Sequence, residues 1–146
     1  MSVIIRPMRQ EDVCELVQIE QEIFSVPWSE QNFADLLTRS YALYLVAEKD
    51  DKIVGCAGLT VLDNEGDIDK VMVRGECRGQ GIASYLMEEL LAEGSKRGVQ
   101  EFTLEVRVSN TPAIRLYEKY GFVSEGIRPR FYDKPVEDAM IMWLRQ

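Results

Sequence analysis

The chain has 146 residues, 46% hydrophobic and 29% charged, which predicts one globular domain over 1–146 with its own core. Its formal net charge of −8 argues against general affinity for nucleic acid or an anionic membrane. It contains no histidine, which excludes Ser–His and Cys–His nucleophile pairs and histidine metal clusters, so a general base must be Asp, Glu, Lys, Tyr, Cys or water.

The three cysteines, Cys14, Cys56 and Cys77, are odd in number and widely spaced. That predicts free thiols in a reducing compartment, with neither a disulfide framework nor a bound metal. The opening Met1-Ser2-Val3-Ile4-Ile5-Arg6 has no signal-peptide core. No apolar run approaches the ~20 residues that span a bilayer. A cytoplasmic protein is expected.

Residues 3–6 read as a first strand closed by Pro7. Over 10–24, Val13, Leu16 and Val17 have helical spacing, and Glu11 and Asp12 suit a first turn. Residues 24–28 break that helix, and Ser29 N-caps a second one through Phe33, Leu36 and Leu37. Trp28 either packs onto this helix pair or walls a binding groove. Residues 41–48 and 52–62 form a hairpin around Asp50-Asp51. Gly55 and Gly58 inside its second strand predict a bulge or a close approach. After a turn at 63–66, residues 67–73 form a further strand, so strands two to four are antiparallel.

A long helix follows from Ile82 to about Lys96, closed by Gly98. Residues 101–108 alternate cleanly: Phe102, Leu104, Val106 and Val108 face one way, and Thr103, Glu105 and Arg107 the other. A short helix starts near Pro112 and ends at Gly121. Residues 122–127 and 138–144 are final strands, joined by a loop over 128–137. The order predicts an α/β fold of the α+β mixed-sheet kind, with about seven strands and four helices. The sheet is mostly antiparallel, with one parallel β-α-β crossover over 67–108.

Between that strand and the long helix lies Arg78-Gly79-Gln80-Gly81-Ile82-Ala83-Ser84. A strand before, a helix start after, and an arginine beside two glycines make an anion cradle, most simply for phosphate. The loop lacks the Gly-Lys-Ser/Thr of a Walker site and the third glycine of a dinucleotide fingerprint.

This loop resembles the R/Q-x-x-G-x-G/A motif of the GNAT acetyltransferases. Residues 104–110 and 113–122 are similar to the second half of that fold. Pro27-Trp28-Ser29 and Glu137-Asp138-Ala139-Met140-Ile141-Met142 resemble its RimI branch, whose members acetylate the N-terminal alanine of a small-subunit ribosomal protein. The resemblance implies acetyl-CoA as donor, with Arg78, Gly79, Gln80, Gly81, Ile82, Ala83 and Ser84 on its pyrophosphate. Val71, Met72 and Val73 would offer backbone contacts to the acetyl and pantetheine groups, and Asn110 would contact the cofactor arm. Glu105 would be general base and Tyr117 general acid, and Trp28 and Tyr132 would shape the acceptor site. Tyr117 also lies on the apolar stripe of its helix, a core position by pattern alone.

The implied partners are acetyl-CoA and a protein N-terminus, most simply that of a ribosomal protein, transferred to directly in a ternary complex. The alternatives are a small amine acceptor (a polyamine or an aminoglycoside) and an acyl-CoA-binding module without turnover. Two departures stand out. Asp69-Lys70 stands where the branch usually carries an Asn, and Lys70 is expected to face the same cleft as Glu105, where a nearby ammonium would weaken the carboxylate as a base. Residues 128–133 lack the branch's paired tyrosines, although Tyr132 remains.

Overall fold

The computed structural model describes residues 2–146. In chain order the elements are β1 (Val3–Pro7), α1 (Val13–Ile23), α2 (Glu30–Leu36), β2 (Ala42–Lys49), β3 (Lys52–Leu62), β4 (Glu65–Val73), α3 (Ile82–Lys96), β5 (Glu101–Arg107), α4 (Thr111–Lys119), β6 (Val123–Tyr132) and β7 (Glu137–Arg145). Short 3₁₀ turns precede α1 and α3.

The strands form one sheet in the order β1-β2-β3-β4-β5-β7-β6. Every neighbouring pair is antiparallel except β4 and β5, which are parallel, as the crossover through α3 requires. Alternating residues send side chains to two cores. Leu43, Leu45 and Ala47 of β2 join α3 and α4, while Tyr44 and Val46 join α1 and α2. The sheet is thus covered by helices on both faces. Among the described residues, no helix is long and apolar enough to cross a membrane.

Local chemistry sets the helix starts. Ser29 and Asn32 close a reciprocal capping box at α2, with bonds of 3.1 and 3.0 Å. Asn110 Oδ1 accepts the Ala113 N–H at 3.3 Å and caps α4. The helix expected over 10–24 begins as a 3₁₀ turn at Gln10–Asp12, because Asp12 is held by Arg6 and by the Arg9 N–H at 2.7 Å.

Both readings of the β3 glycines hold. A Cβ on Gly58 would stand 2.3 Å from the Tyr44 ring. The registers shift by one residue between Ala47/Glu48 and between Gly58/Leu59, leaving Val54 of β3 and Asp69 of β4 as the unpaired extra residues.

The loop expected over 128–137 is shorter than the sequence suggested. β6 continues to Tyr132, and β7 begins at Glu137, which pairs with it. Pro129 has no N–H to donate, and a wide bulge between Arg128 and Tyr132 absorbs it. Arg130 takes φ 52° there and donates its N–H to Asp138 at 3.0 Å. The feature that positions the site is the brevity of the parallel pairing. β4 and β5 pair only at Glu65↔Glu101, Gly66↔Phe102 and Asp67↔Thr103, and then part.

Candidate active site

Where β4 and β5 part, a cleft of about 750 Å³ opens. Its walls are residues 67–71 of β4, residues 104–107 of β5, Asn110, Tyr117, the α1–α2 connection at 23–26 and the β6–β7 turn at 131–135. The β4 backbone beyond Asp67 has no strand partner on this edge. Those groups are therefore available to a ligand. A second cavity, of about 360 Å³, lies at the β1–β2 end and is lined by none of the predicted site residues.

The cleft collects Glu105, Tyr117, Tyr132, Asn110 and Val71. Glu105 points away from the buried Leu104 and Val106 because β5 alternates. Arg128 Nη1 lies 3.4 Å from Glu105 Oε2, in a partly exposed pair. Lys70 lines the same cleft, as expected, but Arg128 and not Lys70 is the cation paired with Glu105. The Lys70 ammonium sits 2.5 Å from the buried Glu20 carboxylate and over the Trp28 and Phe24 rings, at 3.8 and 4.3 Å from their centroids. Glu20 is fully buried, so its carboxylate requires a partner, and Lys70 supplies it.

Tyr117 is both core and cleft. Its ring packs on Phe122 at 6.0 Å, while the residue also lines the cavity. Burial, and then the nearby Tyr132, push its phenol up to about 12, so it holds its proton at neutral pH. Burial and the Glu105 charge likewise raise Tyr132 to about 12. Tyr132 is fixed by the Arg107 guanidinium, 4.4 Å from its ring centroid, and by Phe131, edge-on at 4.9 Å. Arg107 is in turn anchored by the Asp133 and Pro135 carbonyls and by Glu137. Trp28 is not among the residues lining the cleft. It packs on Phe33 and Tyr44, with centroids at 5.1 and 6.2 Å.

Asp67, which the sequence reading did not single out, also lines the cleft. Desolvation, then the charges of Glu105, Asp69 and Glu65, raise its carboxyl to about 6. A raised acid binds its proton more tightly folded than unfolded, so Asp67 costs stability above pH 6 and nothing below its ordinary 3.8. Asp67→Asn therefore raises Tm at pH 7.5, and the gain fades as pH falls from 6 toward 4. Thermal melts across that range check this.

The glycine loop behaves as a helix-start cradle. Gly79 and Gly81 have φ of 77° and 79°, and Gly81 is the N-cap of α3 with no side-chain cap on the first turn. A Cβ on either would meet nothing within 4 Å, so backbone conformation and not crowding requires glycine there. Arg78 is exposed. Two lysines the sequence reading missed flank this helix start. Lys49 donates to Gln80 Oε1 at 2.9 Å, and Lys119 donates to Ser84 Oγ at 3.3 Å. Ile82 is buried and Ala83 half-buried against the α3 core. Met72 and Val73 are buried on opposite faces of the sheet, leaving Val71 as the side chain of that trio in the cleft.

Residues 13–122 match the acetyltransferase (GNAT) family model. The chain belongs to the GNAT family. It is an acyltransferase, and the GNAT family uses acetyl-CoA. It is 34% identical over 142 residues to the ribosomal protein bS18-alanine N-acetyltransferase of Escherichia coli K12, covering 96% of this chain and 95% of the relative. The crystal structure of the Escherichia coli ribosomal-protein-S18-alanine N-acetyltransferase superposes with a TM-score of 0.91 over 99% of this chain and 94% of that one, at 34% identity. Ard1 from Thermoplasma volcanium superposes equally well, with a TM-score of 0.91 at 26% identity over 99% and 98% of the two chains.

Proposed function

We propose that this chain, as one domain over 1–146, acetylates the N-terminal α-amine of a cytoplasmic ribosomal protein, an alanine as in bS18. The observation that carries this reading is the meeting of Glu105, Tyr117 and Asn110 in one cleft opened by the parting of β4 and β5. The specific acceptor is supported by similarity across nearly the whole chain to an enzyme named for bS18 alanine acetylation.

Acetyl-CoA fits the residues present. The uncapped first turn of α3 and Arg78 suit its pyrophosphate, and the unpaired β4 edge suits its amide-bearing arm. When bound it supplies an acetyl thioester. An N-terminal amine has a pKa near 7.7–8.0, so part of it must lose a proton before it can attack. Glu105, directly or through one water, takes that proton. Tyr117 keeps its phenol protonated and can donate to a departing thiolate. Free N–H groups of β4 can hydrogen-bond developing oxyanion charge. Holding amine and thioester side by side in the cleft supplies the rest of the acceleration.

Thiol release from acetyl-CoA, measured with a peptide beginning Ala-Arg and with spermine in parallel, tests this. We expect turnover with the peptide and a product mass placing the acetyl group on its α-amine. Turnover with spermine alone overturns the reading. Thermal stabilisation by acetyl-CoA without turnover of any amine identifies a binding module instead.

A further inference from the structure

The Lys70–Glu20 pair is among the most deeply buried charged contacts of the described residues, with side chains 6% and 1% exposed. Such a pair is a poor source of net stability, because desolvation offsets most of the attraction. Its contacts are directional instead. Glu20 Oε1 accepts the Trp28 backbone N–H at 3.1 Å, while Oε2 faces Lys70 Nζ. The same ammonium lies over the Phe24 and Trp28 rings. The pair therefore grips both ends of the 24–28 connection.

The middle of that connection is a cleft wall. Phe24, Ser25 and Val26 line the same cavity as Glu105, and the connection has no helix or strand of its own. Lys70 is aimed by the β4 bulge that precedes it. Asp69, the extra residue, is held by the hydroxyls of Tyr44 and Thr60. Tyr44 packs on Trp28, so the bulge, the lysine and the connection share one set of contacts.

We propose that the Lys70–Glu20 pair is the positioning unit for the acceptor wall. It sets where Phe24, Ser25 and Val26 stand, and so how the first residues of an acceptor chain are laid toward Glu105. Neither residue touches the reacting atoms. The proposal rests on the reading that this cleft takes a peptide N-terminus, and the test separates the two.

The variant to measure is Glu20→Leu/Lys70→Met, which removes both charges and keeps the site apolar, so no lone buried charge is left to prevent folding. Its kcat/KM for the Ala-Arg peptide should fall roughly 10- to 100-fold through misplacement of the acceptor, chiefly in KM. The KM for acetyl-CoA should stay within about twofold, since the cradle at 78–84 is untouched. Hydrogen exchange at the Trp28 amide, read without any substrate, should be faster. Lys70→Arg keeps the charge and should keep peptide KM near wild type. A folded double variant with wild-type peptide KM overturns the proposal. If the wild-type protein does not turn over the peptide, the acceptor reading fails. The clamp is then judged by exchange alone, and unchanged exchange at Trp28 overturns it.

Discussion

Glu105→Gln lowers kcat by about 10²- to 10⁴-fold, the range of a lost general base, while acetyl-CoA affinity holds. The substitution keeps the shape of the side chain and removes its negative charge, and with it the ability to take a proton. Its structural cost is small. Glu105 is partly exposed, and its pair with Arg128 is 3.4 Å long with the arginine 54% exposed, a contact worth at most about 1 kcal/mol. Tm should therefore barely move, and the loss should appear in kcat. Steady-state thiol release gives kcat, and titration with acetyl-CoA gives affinity. A variant with wild-type kcat removes Glu105 from the base role. Arg128, and not Lys70, is the cation paired with Glu105, so the rate loss probes a carboxylate whose companion cation is largely exposed to solvent.

The sequence made legible whatever depends on short-range pattern. Alternation sets Phe102, Leu104 and Val106 inward and Glu105 outward, and the structure keeps that arrangement; Val108, expected inward too, is exposed because the strand ends at Arg107. The strand, glycine loop and helix start around 78–84 read directly, because positive φ at Gly79 and Gly81 is a local demand. The parallel crossover followed from strand-helix-strand order. What escaped depends on residues far apart in the chain. Lys49 and Lys119 reach the start of α3 only because β2 and α4 end beside it, and nothing near either lysine in sequence marks that. Asp67 reads as the first residue of a strand, and only the early end of β4–β5 pairing places it in a cleft. The two prolines and two aromatics of 128–137 read as loop, but an edge strand with a bulge between Arg128 and Tyr132 accommodates Pro129. One long-range feature did leave a signal. Glu20 follows Leu16 by four residues and so lies on the buried stripe of α1, where an acid requires a partner.

That partner decides the other large effect. Lys70→Met alone should destabilise the fold by about 3–5 kcal/mol, because it strands a buried carboxylate with the Trp28 N–H as its remaining hydrogen bond. For a chain of this length the loss lowers Tm by roughly 10 °C or more. Glu20→Leu alone strands the ammonium, and the Trp28 and Phe24 rings compensate part of that charge, so its cost should be the smaller of the two. The double variant Glu20→Leu/Lys70→Met leaves neither charge unpaired and should lose much less than the sum of the singles. Denaturant melts of all four proteins give the coupling energy directly. Additive losses would mean that each charge is solvated independently, which the 2.5 Å separation and near-zero exposure of both groups contradict. Strong coupling with a nearly wild-type double variant would show that the pair contributes little net stability. Its retention in the cleft wall would then be explained by where it holds the 24–28 connection, since an apolar pair fills the same space without orienting Trp28.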